Sequence, residues 1–185
     1  MKAEEHTSKI IDKLIEATSA EDQLKMDVEM LTIALNEADR QIKELIKSDD
    51  ELKKNYELVT SVKGIGLVIA TFMLVTTNNF TCFENGRKYA CYSGIAPFES
   101  SSGKHQGKAR VSPLANKRVK ALLSSGANSA CKWDPEIKAY YERKIKEGKH
   151  HNLVINAIKC KLVNRIFAVV HRQTPYVNIY QQKFA

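Results

Sequence analysis

The residues best suited to chemistry lie in one short stretch, GIAPFESSSGKHQGKARVSP, residues 94–113. Ser100, Ser101 and Ser102 run together and are followed by Gly103, Lys104, His105, Lys108 and Arg110. A serine hydroxyl can attack a phosphodiester when cations stabilise the developing charge and a base removes the proton. Lys104, His105, Lys108 and Arg110 supply such charge, and the neighbouring glycine lets backbone approach a phosphate without a Cβ clash. The same composition also suits a surface loop that touches phosphates without reacting. Spacing alone leaves both readings open and favours the plainer one.

Other chemistries have less support. Residues 64–185 contain six carboxylates, Glu84, Glu99, Asp134, Glu136, Glu142 and Glu147, scattered rather than clustered. Metal-dependent phosphoryl transfer needs a cluster of acidic ligands, so no metal or other cofactor is expected in this chain. His150 and His151 are adjacent, would face different directions on a helix, and read as surface or cap residues. Gly103-Lys104 lacks the spacing of a P-loop. Ser101-Ser102-Gly103-Lys104 matches S-x-x-K without its companion motifs. Cys82, Cys91, Cys131 and Cys160 are 9, 40 and 29 residues apart, which fits no zinc signature. No leader-like segment and no apolar run of the ~20 residues needed to span a bilayer is present. A reduced cytoplasmic protein with no membrane partner is expected.

The elements that must position the serine stretch fall into two parts. Residues 1–63 hold 10 Lys/Arg and 15 Asp/Glu, whereas residues 64–185 hold 19 and 6, so the net charge swings from −5 to +13. Segregated positive charge suits a polyanionic partner, because each neutralised phosphate releases counterions. Residues 1–63 contain neither glycine nor proline, and of the fifteen positions stepping by four and three from Ile10 to Val59, all but Glu21 and Asp49 are apolar. This heptad signal predicts a long helix that cannot bury its stripe alone and pairs with another copy, with Asp49 as the point of breakage. The expected division is a dimerising coiled coil over 1–60, a compact domain over 61–178 and a tail over 179–185.

In the basic part, VKGIGLVIATFMLV (62–75) sets Gly64 and Gly66 between two helices. That pattern suits a helix-hairpin-helix turn whose backbone N–H groups hold a phosphate, or a plain tight turn between packed helices. A short helix then ends at Gly94, and the serine stretch has the β-like edges of a small hairpin. Ser112-Pro113 reads as the start of a helix that carries Lys117, Arg118 and Lys120 toward the same partner. Asp134-Pro135 starts another helix, ending at Gly148, and a long amphipathic helix precedes Thr174-Pro175. The fold class expected is mainly α with one small β-hairpin.

Taken in order, VKGIGLVIATFMLV, then F-x-N-x-R-x-Y-x-x-Y-x-G-I-A-P (83–97), then SSG, then GKARVSPLANKRVKALL resembles the C-terminal domain of the one-ten family of bacterial insertion-sequence transposases. These are the DEDD-type recombinases guided by a bridge RNA. The resemblance covers about residues 58–178. It implies a domain that binds DNA and supplies a serine that becomes covalently joined to it, with Ser102 first by position and Ser101 second. It also implies a preceding coiled coil, an N-terminal RuvC-like domain with an acidic Mg²⁺ site, and a guide RNA. No acidic quartet or α/β pattern precedes the heptads here, so Mg²⁺ is expected only with that other domain, and the chain alone is expected to be inactive. Two other functions fit the same residues: a dimeric architectural or regulatory DNA-binding protein, and a coiled-coil scaffold whose basic domain binds RNA.

Overall fold

The computed structural model describes residues 2–96, 98–102, 105–110 and 115–177. The fold is mainly α, and the chain divides into two units, Met1–Leu45 and Ile46–Ala185.

The first unit is a single helix. Helix α1 spans Lys2–Lys47, 46 residues, and is about 70 Å long at 1.5 Å per residue. Pairs one turn apart support it in solvent: Lys25 with Glu21, Arg40 with Glu37 and Glu44, and Gln41 with Glu37. From Leu24 to Leu35 its apolar stripe is uncovered, with Leu24, Val28, Leu31 and Leu35 all between 62% and 67% exposed.

The break comes where the sequence predicts it. Asp49 caps helix α2 (Asp50–Thr60), its carboxylate accepting the Leu52 N–H at 2.9 Å. The division of the chain, however, falls between Leu45 and Ile46 rather than at residue 60. Leu58 and Val59 are buried in the core of the second unit, and Leu52 and Tyr56 pack against it. The last heptad positions therefore serve that core instead of prolonging the uncovered stripe.

The second unit is built around helix α7 (His151–Arg172), against which α2, α4 (Gly86–Tyr92), α5 (Lys117–Trp133) and α6 (Pro135–Lys146) pack. Ile158, Leu162, Val163 and Ile166 of α7 are fully buried. Phe80 and Tyr89 meet Phe167 with ring centroids 5.2 Å and 5.7 Å apart. Helix α3 (Leu67–Thr77) packs on α2 and α5. Short-range signals set most helix ends: Asn85 caps α4, Asp134 with Pro135 opens α6, and Gly94 and Gly148 take left-handed conformations at φ 68° and 79°. Asp134 is also fully buried and pairs with Arg165 at 2.8 Å; Arg165 reaches Glu136 at 2.7 Å.

One helix start differs from expectation. Helix α5 is capped by Asn116, whose side chain accepts the Val119 N–H at 3.2 Å, and not by Ser112, which lies outside the described residues. Strands β1 (Phe98–Ser102) and β2 (His105–Arg110) pair antiparallel. Ser102 stands opposite His105, Ser101 opposite Gln106, and Ser100 opposite Gly107. The register slips by one residue on β2 before Phe98 meets Arg110, the signature of a bulge. The tail expected at 179–185 also lies outside the described residues.

Candidate nucleic-acid interface

The segment that carries Ser101 and Ser102 is tied down on both sides. Where it leaves the core, the Ile95 carbonyl accepts the Asn156 side-chain amide at 2.7 Å, and the Cys160 thiol lies 3.8 Å away. Where it returns, Asn116 donates its backbone N–H to the Tyr92 carbonyl and its side-chain amide to the Tyr92 hydroxyl, both at 2.9 Å. Tyr92 belongs to the short aromatic helix α4, stacked among Phe83 and Tyr89. The strands thus spring from a packed base. The register brings the backbones of Ser102 and His105 side by side and sets Lys108 and Arg110 further along β2. Lys104 lies outside the described residues.

The two glycines expected to work together have different surroundings. Gly64 has φ 92°, and a Cβ there would stand 2.6 Å from the Gly126 carbonyl oxygen and 2.9 Å from the Ala130 Cβ. Its conformation and missing side chain let the α2–α3 turn rest directly on α5. Gly66 has φ −103° and opens α3 without a side-chain cap, and a Cβ there would meet nothing within 4 Å. Its first-turn N–H groups border an open groove of about 430 Å³, lined by Leu67 and Val68 on one side and by Leu122, Ser125 and Ser129 of α5 on the other. Uncapped N–H groups at a helix start suit a phosphate oxygen.

Helix α5 joins these features. Lys117 and Arg118 are exposed in its first turn and Lys120 is half-buried, and none of the three is ion-paired among the described residues. Lys159 of α7 was not legible as a site residue from sequence. It is 6% exposed, and its Nζ donates to the Ser124 hydroxyl of α5 at 3.1 Å. Burial, and then the charge of Lys120, hold its ammonium below the ordinary lysine range. Sequence offers little signal for it: Ile155–Val163 carries two lysines, Lys159 and Lys161, and nothing local says which one is buried.

The remaining cysteines and histidines have surroundings of their own. Burial pushes the Cys131 and Cys160 thiols up, away from thiolate character. His150 caps α7 and His151 bonds the Tyr141 hydroxyl at 2.9 Å, as surface and cap roles require. Among the described residues no three His, Cys, Asp or Glu side chains gather as metal ligands, and no helix is long and apolar enough to cross a membrane.

Comparison with known proteins places this architecture. Residues 56–142, from α2 through most of α6, match the transposase family IS116/IS110/IS902. Over 155 residues the chain is 24% identical to the insertion element IS900 uncharacterized 42 kDa protein of Mycobacterium paratuberculosis, covering 83% of this chain and 38% of that protein. Over 119 residues it is 28% identical to the insertion element IS110 uncharacterized 43.6 kDa protein of Streptomyces coelicolor, covering 64% and 29%. These matches support membership of the IS116/IS110/IS902 transposase family. The chain is also 25% identical over 146 residues to the pilin gene-inverting protein of Moraxella bovis, covering 77% of this chain and 45% of that one. These matches span less than half the length of each relative. The segment matched by the transposase family contains the glycine turn, the strands and the basic start of α5, whereas α7, on which α2, α4 and α5 pack, lies beyond it.

Proposed function

We propose that this chain is the DNA-binding, nucleophile-bearing part of a transposase or recombinase acting in the cytoplasm. The observation that carries the reading is coincidence: all but the first eight residues of the segment matched by the transposase family lie in the part with net charge +13, and the segment includes the serine-bearing strands. In this reading the Gly64–Gly66 turn acts as a helix-hairpin-helix element, with the N–H groups behind Gly66 on one phosphate. Lys117, Arg118 and Lys120 hold others, and Lys104, His105, Lys108 and Arg110 offset the charge that builds during attack. The Ser102 oxygen bonds to phosphorus, the leaving strand oxygen departs with the hydroxyl proton, and the phosphoester is conserved as a protein–DNA link. Ser101 is the second choice.

The described residues do not fit a Mg²⁺ ion, so no step here is routed through one. The ion, an acidic domain and a guide RNA would belong to the remainder of a longer transposase. The uncovered stripe of α1 supports a homodimer, or a higher oligomer, joined as a coiled coil.

Duplex DNA titrated with the chain at several salt concentrations tests the reading. Affinity should fall steeply with salt, and removing one phosphate-contacting cation, as in Arg118→Gln, should lower the slope of log affinity against log salt by about 0.9. An affinity independent of salt would overturn it. Tighter salt-dependent binding to structured RNA than to duplex DNA would favour the RNA-binding scaffold.

A further inference from the structure

Lys159 is a buried cation with no carboxylate partner among the described residues. No carboxylate pairs with Lys159 or with neighbouring Lys120 among the described residues. Lysines are almost never buried unless paired, because desolvating an ammonium is costly. Helix α7 offers its own comparison. Arg165, 13% exposed and less than two turns further on, is held by Asp134 at 2.8 Å and Glu136 at 2.7 Å. One sheltered cation on this helix is neutralised twice, and the other, among the described residues, has a hydroxyl partner and a second lysine nearby and no carboxylate.

The surroundings of Lys159 are specific. Its Nζ donates to the Ser124 Oγ at 3.1 Å, and that hydroxyl in turn donates to the Lys120 carbonyl at 2.9 Å. An ammonium has three N–H donors, so two remain after Ser124. Asn116, Lys120 and Ser124 occupy successive turns of α5, with the Lys120 N–H donating to the Asn116 carbonyl at 3.1 Å. Asn116 holds the returning end of the serine-bearing segment. Asn156 and Cys160, flanking Lys159 on α7, hold its departing end at Ile95. The cations therefore sit at the base of the strands, between their two anchors.

We propose that Lys159, Lys120 and Ser124 form a binding site for a phosphate oxyanion at the base of the serine-bearing strands. The chemistry is that of a phosphate: two ammonium groups and a hydroxyl that can turn to donate, with like charges whose mutual repulsion a bound anion converts into attraction. The occupant named here, a backbone phosphate of DNA, rests on the DNA-binding reading above; a free phosphate ligand shares the chemistry. In the absence of an anion the arrangement destabilises the fold, the mark of a group kept for binding rather than for stability.

The test compares the full chain with Lys159→Met, which preserves the length of the side chain and removes its charge. Thermal unfolding is followed in inorganic phosphate against chloride at equal ionic strength, and binding of duplex DNA is followed by anisotropy. Phosphate should raise the wild-type melting temperature, and Lys159→Met should lose most of that rise. Without phosphate at neutral pH, Lys159→Met should melt at or above the wild type. Because the folded Lys159 pKa is depressed, its cost is fully present at low pH and fades as pH rises toward the ordinary lysine value, so the advantage of the variant should shrink there. Duplex affinity should fall about tenfold, against little change for Lys132→Gln at the exposed end of α5.

An equal phosphate shift in wild type and Lys159→Met overturns the site. If Lys159→Met does not fold, Lys120→Gln and Ser124→Ala carry the comparison, and unchanged shifts in both overturn it. Wild-type chain that binds duplex DNA as tightly as Lys159→Met and shows no phosphate shift refutes the site and leaves the DNA-binding reading standing. A Lys159-dependent phosphate shift with no duplex binding refutes that reading and assigns the site to a free phosphate ligand.

Discussion

Helices α1 and α7 use the same apolar residue types with opposite outcomes. In α7, Ile158, Leu162, Val163 and Ile166 are fully covered because α2, α4, α5 and α6 close around them. In α1, Leu24, Val28, Leu31 and Leu35 lie mostly in solvent, on a helix that constitutes its unit alone. The acidic, glycine-free sequence of α1 makes one long helix with charge pairs along it, but nothing in its own unit offers a second surface. A leucine left uncovered forgoes about 2 kcal/mol of burial, so a stripe sustained over this length is informative only if something else covers it. The comparison separates two outcomes: α7 spends its apolar residues inside one chain, and α1 leaves its stripe from Leu24 to Leu35 uncovered within its own unit.

The sharpest break in that comparison would come from Ser102→Ala, examined in a transposase that also contains the acidic domain. Covalent protein–DNA adduct on denaturing gels should be lost by a factor of 10³ or more, while DNA affinity stays near wild type. Ser101→Ala should be milder. Adduct persisting in Ser102→Ala moves the role to Ser101, and adduct in both variants leaves the strands as a phosphate contact and the protein as an architectural DNA binder.

Replacing Leu31 and Leu35 together by Lys tests the first unit. Four leucines would leave a dimer seam, so association measured by sedimentation should weaken about a thousandfold or more, with thermal unfolding of residues 46–177 unchanged. A wild type that is monomeric at high micromolar concentration would remove the idea of pairing. Gly64→Ala probes the second unit. With φ 92° and a Cβ position 2.6 Å from a carbonyl oxygen, it should lose about 3 kcal/mol in urea unfolding, whereas Gly66→Ala should cost little stability. Equal losses would contradict the different roles assigned to the two glycines.

The smallest effect concerns Tyr89, whose hydroxyl lies 2.8 Å from the Thr76 hydroxyl. Burial pushes its phenol up to about 12, the hydrogen bond to Thr76 opposing. A raised pKa contributes stability that is complete below the ordinary value near 10 and lost as pH climbs toward 12. Tyr89→Phe should cost about 1 kcal/mol at neutral pH for the lost hydrogen bond, and this deficit should shrink between pH 10 and pH 12. Unfolding curves at those pH values decide it.

What the sequence by itself determined is local or cumulative. The break at Asp49, the Asp134-Pro135 start and the glycine ends at Gly94 and Gly148 follow from side chains acting within a few residues of their own backbone. The swing from −5 to +13 is a sum over the chain and survives any fold. Tertiary structure decided whatever depends on which distant residue becomes a neighbour. The pattern of Leu52, Tyr56 and Val59 looks the same whether it faces a second copy or α3 and α7, and only packing assigns it to the core. Gly64 and Gly66 are equivalent in sequence, and only the approach of Gly126 makes the first indispensable and leaves the second open. Asp134 reads in sequence as a helix cap and Lys159 as an ordinary lysine, and burial is legible for neither. One meets Arg165 in the interior and the other donates to Ser124, because the energy of a buried charge is set by partners 31 and 35 residues away in the chain.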